Sequence, residues 1–127
     1  MKTHESTENY LEAILILGLG DNQVRAVDIA NELEFSRPSV SVAMKNLREK
    51  GFIEVDMSGN ITLTNNGRNI AESIYQRHML ISEWLIHLGV DRRTAVSDAC
   101  KMEHAMSEKS FTAIKKHIKN WKQTYSE

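Results

Sequence analysis

The stretch VRAVDIANELEFSRPSVSVAMKNLREKG, residues 24–51, decides the fold of this chain. Apolar residues at helical spacing mark the inner faces of two short helices: Ile29, Ala30 and Leu33, then Val40, Met44 and Leu47. Ser36 is a favourable N-cap for the second helix, and Pro38 falls in its first turn, where the missing N–H costs nothing. Gly51 can end that helix. Two short helices joined by a tight turn predict a helix-turn-helix.

The next segment, FIEVDMSGNITLT (52–64), changes from helical to two-residue periodicity. Apolar residues alternate with polar ones along two runs: Ile53, Val55 and Met57, then Ile61 and Leu63. With SGN as the turn, this alternation predicts a β-hairpin. Because a hairpin directly after a helix-turn-helix makes a winged helix, residues 1–64 are expected to form a DNA-binding domain.

Helical patterns flank this region on both sides. A helix is predicted over residues 6–18, with Ser6 as its cap. A long helix is predicted over about 65–88, and its apolar stripe consists of Ile70, Ile74, Ile81, Leu85 and Leu88. Asp91 and Ser107 can each cap a further helix. The predicted fold class is therefore mainly α with a small β-hairpin.

Composition and charge limit the possible classes of protein. The 127 residues are 41% hydrophobic and 26% charged, which is typical of a packed domain. The net charge of -1 gives no overall basic character, so any contact with nucleic acid must come from a local patch. The opening MKTHESTEN lacks the apolar stretch of a signal peptide, and no apolar run approaches the roughly 20 residues of a membrane span. We therefore expect a cytoplasmic protein without a membrane partner.

The second helix of the helix-turn-helix supplies such a patch. Segment 36–50 carries four basic residues against Glu49 alone. The residues expected to contact DNA are Arg25, Ser36, Arg37, Pro38, Ser39, Ser41, Val42, Lys45 and Arg48. Arg37, Ser39 and Val42 lie near the N-terminus of the helix and suit base edges, whereas the other basic residues suit phosphates. The wing turn SGN has no arginine or lysine, which predicts weak minor-groove contact. A solvated polar helix is the alternative interpretation.

A second candidate site lies in DACKMEHAMS, residues 98–107. On a helix, Cys100, Glu103 and His104 are at i, i+3 and i+4 and project from neighbouring positions on one side. Thiolate, carboxylate and imidazole together suit a transition metal better than Mg²⁺ or Ca²⁺. The single cysteine excludes an intrachain disulfide, so its thiol is either buried packing or a ligand.

Two residues elsewhere extend this candidate site. His78 lies on the apolar stripe of the long helix, between Ile74 and Ile81, where it is either a hydrogen-bonded core histidine or a ligand. Glu12 lies on a polar side of the first helix, one turn after Asn9. Since an unpaired buried carboxylate is costly, a divalent cation would offset the charge of such groups.

In these segments the chain resembles the diphtheria-toxin-repressor family of metal-dependent transcriptional repressors, which includes the manganese transport regulators. The motifs that carry the resemblance are ESTENYLEAI, VRAVDIANELEFSRPSVSVAMKNLREKGFIEVD, ITLTNNG, RHMLISEWLIHLGV and DACKMEHAMSE, which together cover nearly the whole chain. The resemblance implies an N-terminal winged helix-turn-helix followed by an all-helical metal-binding and dimerisation domain over residues 65–127. In a departure from the longer iron-type members, the chain is expected to be a short form without their SH3-like domain.

The resemblance further implies Mn²⁺ or Fe²⁺ as co-repressor, with Zn²⁺ or Co²⁺ able to substitute. The implied site is built from His78, Cys100, Glu103 and His104. Glu12 matches the ligand that manganese-type members have on the first helix, and Asn9 stands where the family has Met or Asp. Ser82 and Val96 occupy the positions of ligands to an ancillary site in iron-type members. One site, or a pair of ions sharing Glu12 and Glu103, is therefore expected.

The implied function is a metal-dependent transcriptional regulator that represses metal-uptake genes as a homodimer on a palindromic operator. Metal would fix the angle between the two halves and set the recognition helices one DNA turn apart, about 34–36 Å. One alternative is a winged-helix regulator that responds to a small organic ligand and has no regulatory metal. An enzyme is not expected, because the chain has no nucleophile elbow or P-loop and its GLG follows a helix instead of a strand. No organic substrate is expected.

Overall fold

The computed structural model describes residues 5–125, with side chains through residue 121. Within that range the chain forms α1 (Glu5–Leu17), α2 (Ala26–Leu33), α3 (Arg37–Glu49), β1 (Ile53–Val55), β2 (Ile61–Leu63), α4 (Asn65–His87), α5 (Arg92–Ala105) and α6 (Glu108–Tyr125), with a 3-10 turn at Leu19–Asp21. The chain divides into two compact units, Met1–Ser73 and Ile74–Glu127. The predicted mainly α fold with a small hairpin is confirmed.

The helix-turn-helix of the first unit consists of α2 and α3. Glu34 ends α2 in the left-handed conformation, with φ of 58°. Ser36 caps α3 as predicted, because its Oγ accepts a hydrogen bond of 3.3 Å from the backbone N of Ser39. The buried inner face of α3 is the predicted one: Val40, Met44 and Leu47. Local capping and a three-residue apolar stripe therefore fix the position of α3.

The wing is an antiparallel pair in which Ile53 lies opposite Leu63. Its turn is organised by Asp56, whose Oδ1 accepts hydrogen bonds from the hydroxyl and the backbone N of Ser58 and from the backbone N of Asn60. These bonds, the Ser58 hydroxyl foremost, hold the pKa of Asp56 below its usual range. Met57 is fully exposed, so its predicted alternation with the strand residues is wrong. The strand ends at residue 55, and Met57 lies in the turn.

Two hydrogen bonds attach the wing to the loop before α2. The N of Ile61 donates to the O of Val24 at 2.7 Å, and the N of Val24 donates to Oδ1 of Asn60 at 2.9 Å. The buried apolar core of this unit draws on every element: Tyr10, Leu11, Ile14, Val24, Ile29, Ala30, Val40, Met44, Leu47, Ile53, Ile61 and Ala71. Ser6 lies inside α1 and does not cap it, because Glu5 before it is already helical.

The second unit contains the C-terminal part of α4 together with α5 and α6. Asp91 caps α5 as predicted, and the hydrogen bond from the backbone N of Thr94 holds the pKa of Asp91 below its usual range. Ser107 caps α6 through Ser110. The buried apolar side chains are Ile74, Ile81, Ala95, Ala99, Phe111 and Ile118. Leu88 is exposed, contrary to prediction, because it follows the end of α4. In the described part of the chain, none of the helices is both long and apolar enough to cross a membrane.

The start of α4 packs directly against the backbone that precedes β1. Gly67 lies so close to Phe52 that a Cβ on the glycine would overlap the carbonyl oxygen of Phe52 and lie 2.9 Å from its carbonyl carbon. Thr64 holds the same junction, since its Oγ1 donates to the O of Gly51 and accepts from the N of Gly67. Backbone atoms cannot move aside as a flexible side chain can, so this contact requires glycine.

We predict that Gly67→Ala lowers the free energy of unfolding by about 1–3 kcal/mol or more, the usual cost of forcing extra volume into a packed site. Urea denaturation followed by circular dichroism measures the change. Asn66→Ala is the matched control, because Asn66 is exposed in the same helical turn and should change stability little. Equal stability of Gly67→Ala and the wild type would contradict the packing seen at this junction.

Candidate metal centre and nucleic-acid surface

Glu103 is the centre of the polar cluster in the second unit. Its side chain lies on α5 and is 0% exposed. Oε2 lies 3.1 Å from Nδ1 of His78 on α4, and Oε1 lies 3.2 Å from Nε2 of His104 on α5. An isolated carboxylate at this depth would be strongly unfavourable. Oε2 is hydrogen-bonded to His78, whereas Oε1 lies near His104 but makes no hydrogen bond among the described residues, so this buried oxygen is the one that a cation would satisfy.

Cys100 adds a sulfur donor to this cluster. Its Sγ, a carboxylate oxygen of Glu103 and a ring nitrogen of His104 all lie within 4.8 Å of one another. The i, i+3, i+4 spacing on α5 brings them together, as the sequence predicted. Cys100 is exposed, so of the two interpretations left open for the thiol, buried packing is wrong.

His78 brings the fourth donor from a different helix. Its ring points at the Glu103 carboxylate although the two residues are 25 positions apart. Two imidazoles, one carboxylate and one thiol form a donor set that suits a divalent transition metal, and lacks the oxygen-rich character that Ca²⁺ and Mg²⁺ need. The fully buried carboxylate is the group that a cation would offset. The residues present therefore fit a metal ion of the manganese, iron, cobalt or zinc type.

The remaining predicted ligands lie in the first unit. Glu12 and Asn9 are on α1, and Glu12 is 8% exposed. Their participation in metal binding stays a prediction. In the second unit, Ser82 uses its hydroxyl to donate to the backbone O of His78 at 2.8 Å, and Val96 is an exposed aliphatic residue. Neither Ser82 nor Val96 offers the charged or imidazole ligand that the ancillary site of iron-type members has.

Sequence reasoning missed Arg77, which is only 7% exposed. Its guanidinium donates to the backbone O of Glu103 at 3.1 Å and to that of Met106 at 2.9 Å, and it pairs with Glu108 at 2.7 Å. A signal was present, because Arg77 occupies a position of the same apolar stripe as Ile74. A charged residue at a core position needs polar partners, and in this chain Arg77 finds two of them at the end of the helix that carries Glu103.

The nucleic-acid surface predicted on α3 is exposed to solvent. The exposed side chains include all nine predicted contact residues: Arg25, Ser36, Arg37, Pro38, Ser39, Ser41, Val42, Lys45 and Arg48. The hydroxyl of Ser36 donates a hydrogen bond of 2.8 Å to the Oγ of Ser39 within the helix cap. Val42 is 61% exposed, which leaves its methyl groups available to an apolar surface such as the methyl group of thymine.

Charge separates α3 from the wing. The exposed face of α3 carries Arg37, Lys45 and Arg48, whereas the wing turn carries the carboxylate of Asp56 and no basic residue. Phosphates attract the first surface and repel the second. The role of each predicted contact residue stays a prediction, but the exposed charges favour α3 over the wing turn as the DNA-contacting element.

Family models match both parts of the chain. The model described as "Iron dependent repressor, N-terminal DNA binding domain" matches residues 2–59, and "Iron dependent repressor, metal binding and dimerisation domain" matches residues 64–125. An uncharacterised HTH-type transcriptional regulator of Methanocaldococcus jannaschii is 31% identical over 93% of this chain and 96% of its own length. The transcriptional regulator MntR of Salmonella typhimurium is 33% identical over 87% of this chain and 70% of its own length.

A solved structure gives the same result. The chain resembles a manganese-dependent transcriptional repressor in complex with manganese, with a TM-score of 0.81 and 25% identity over 88% of this chain. This chain spans 52% of the length of that one. The predicted resemblance, and the predicted order of a DNA-binding winged helix followed by a helical metal-binding and dimerisation domain, are confirmed by these matches.

We predict that Glu103→Gln abolishes the rise in melting temperature that Mn²⁺ or Co²⁺ causes in the wild type. The amide keeps the shape of the side chain but removes the charge, so metal affinity should fall by more than the roughly 10–100-fold that loss of an outer-shell partner costs. Differential scanning fluorimetry with and without metal measures the effect.

The same experiment separates a ligand from a structural ion pair. Without metal, Glu103→Gln should melt at or above the wild-type temperature, because a neutral amide costs less to bury than a carboxylate with one oxygen lacking a hydrogen bond in the described part of the chain. Glu83→Gln, an exposed carboxylate on α4, is the matched control and should keep the full metal response. A Glu103→Gln protein with an undiminished metal response would rule out this residue as a ligand.

Proposed function

We propose that this chain, which belongs to the iron-dependent repressor family, represses transcription by binding operator DNA when Mn²⁺ or Fe²⁺ occupies the Glu103 centre. The observation that carries the proposal is the fully buried carboxylate of Glu103 with an imidazole nitrogen on each oxygen, beside the thiol of Cys100. The family models support both halves of the function, DNA binding and metal binding. The alternative regulator without a metal has no comparable observation in its favour.

His78, Cys100, Glu103 and His104 would hold the ion. When bound, the ion supplies positive charge that offsets the buried carboxylate. The ligands must give up their protons to bind it, so metal affinity should weaken as the pH falls. Because His78 lies on α4 and the other three ligands lie on α5, joint coordination would couple these two helices more tightly than the hydrogen bond of 3.1 Å between His78 and Glu103 does. Zn²⁺ and Co²⁺ have similar ligand preferences and are expected to substitute.

Glu12 and Asn9 enter the proposal from the family resemblance. We propose Glu12 as a further carboxylate ligand and Asn9 as a neutral amide ligand, with one ion or a pair sharing Glu12 and Glu103. A carboxylate from α1 would make metal binding depend on the DNA-binding unit as well as on the helical unit. Metal would then favour the DNA-binding state among those the protein samples.

On DNA, α3 would enter the major groove. Arg37, Ser39 and Val42 lie near its N-terminus and would meet base edges, because that end of a recognition helix reaches deepest. Lys45, Arg48 and Arg25 would contact phosphates. We propose a homodimer in the cytoplasm, whose two α3 helices read the halves of a palindromic operator upstream of metal-uptake genes, one DNA turn apart or about 34–36 Å.

We predict that Mn²⁺ tightens binding to the DNA upstream of the chain's own gene by about 5–150-fold, the usual range of coupling between two ligands. Fluorescence anisotropy at fixed ionic strength, with buffered Mn²⁺ or with EDTA, measures the ratio. The Glu103→Gln protein should bind this DNA with the same affinity under both conditions. Equal affinity of the wild type with metal and with EDTA would refute the proposed regulation.

We also predict that Lys45→Ala weakens binding about equally for operator and unrelated DNA. It should reduce the slope of log affinity against log salt by about 1, because one phosphate contact is lost. Lys116→Ala, an exposed lysine on α6, is the matched control and should leave the slope unchanged. A Lys45→Ala protein with the wild-type slope would remove this residue from the proposed DNA contact.

A further inference from the structure

Two consecutive residues of α4 contact opposite ends of Glu103. Nη1 of Arg77 donates to the backbone O of Glu103 at 3.1 Å, while Nδ1 of His78 lies 3.1 Å from its carboxylate. The first contact involves the backbone of α5 and the second a side chain at the candidate metal centre. Helix α4 supplies the proposed ligand His78, and it also donates a hydrogen bond to the backbone of α5, which supplies the other three proposed ligands.

The contacts of Arg77 lie at the C-terminus of α5. The last carbonyls of a helix have no partner within the helix and carry the negative end of its dipole. With one nitrogen, Arg77 satisfies such an oxygen, that of Glu103 at 3.1 Å, and also the oxygen of the C-cap residue Met106 at 2.9 Å. Since the guanidinium is planar and charged, it fixes both the rotation of α5 about its axis and its position along that axis.

The guanidinium is itself held by α6. Nη2 of Arg77 lies 2.7 Å from Oε2 of Glu108, in the first turn of α6, and its central carbon lies 4.9 Å from the ring centroid of Phe111. The Arg77 side chain is 9% exposed and that of Glu108 is 80% exposed, so the guanidinium is buried while its carboxylate partner faces solvent. An ion pair with a solvent-exposed partner contributes little to stability, so stability alone does not account for an arginine at this buried position.

We propose that Arg77, anchored by Glu108, is a positioning residue that sets the register of α5 so that Cys100, Glu103 and His104 converge with His78. The inference rests on the proposed metal centre. Arg77 does not bind the metal; it acts through the backbone of Glu103. Half a turn of rotation of α5 would carry all three of its ligands away from α4, because they share one side of the helix.

The test compares Arg77→Met and Arg77→Lys with the wild type, all confirmed as folded by circular dichroism. Mn²⁺ affinity, from competition with a metal-binding dye, should fall about 10–100-fold in Arg77→Met, the range seen when an outer-shell partner is lost. Arg77→Lys should recover part of the loss, because an ammonium can still donate to the carbonyls of α5. Glu108→Gln should weaken Mn²⁺ binding by a smaller factor than Arg77→Met.

The Co²⁺ spectrum supplies a readout that a merely structural residue would not change. In folded Arg77→Met, the ligand-field bands and the thiolate-to-Co²⁺ charge-transfer band should shift or weaken, because the ligands no longer converge. Arg68→Met is the matched control: Arg68 lies on the same helix, is half exposed and pairs only loosely with Glu72, at 3.6 Å. It should retain the wild-type affinity and spectrum.

A folded Arg77→Met protein with wild-type Mn²⁺ affinity and an unaltered Co²⁺ spectrum would overturn the proposal. If neither Arg77 variant folds, Glu108→Gln decides: its side chain is 80% exposed, so the fold tolerates the change, and unchanged affinity and spectrum would overturn the anchoring. A wild type that binds neither ion would instead refute the metal centre. These results are therefore distinguishable from one another.

Discussion

The burial of one carboxylate is the constraint on which the helical unit depends. Glu103 has no access to solvent, so its charge must be offset by groups of the protein or by a bound cation. His78 and His104 supply nitrogen atoms on its two oxygens, and Cys100 stands beside them. A buried carboxylate of this kind contributes little to the stability of the fold by itself. A bound cation would offset its negative charge, so the stability of the unit should depend on the cation.

Arg77 is a second buried charged residue, and its partners include backbone oxygens. A charged residue occupies a position of α4 where an aliphatic side chain would be expected. Its Nη1 and Nη2 donate to the end of α5 and to Glu108, while its Nε makes no hydrogen bond within the described part of the chain. Buried ionic groups are often retained because they specify one arrangement of helices over others, even where apolar residues would be as stable. In this chain the arrangement that we propose Arg77 specifies is the one in which Glu103, with Cys100 and His104 beside it, meets His78.

Most of the fold could be predicted because its signals are local. The helix caps at Ser36, Asp91 and Ser107 depend on residues three positions apart, and the apolar stripe of α3 depends on its own periodicity. The errors occurred at the ends of elements. Met57 continued the alternation of a strand that had already ended, and Leu88 continued the stripe of a helix that had already ended. The spacing of apolar residues therefore predicts which face of an element is buried, but it does not predict the residue at which the element ends.

The sequence by itself determined the order of helices and strands, the family to which the chain belongs, and the placement of Cys100, Glu103 and His104 on one side of a helix. Only the tertiary structure decided which residues from different helices and strands contact each other. His78 and Arg77 contact Glu103 from 25 and 26 residues away, and Gly67 meets the backbone of Phe52 from a separate element. The physical reason is that helical and strand periods act over a few residues, whereas burial of a charge and close approach of two backbones depend on the packing of whole elements.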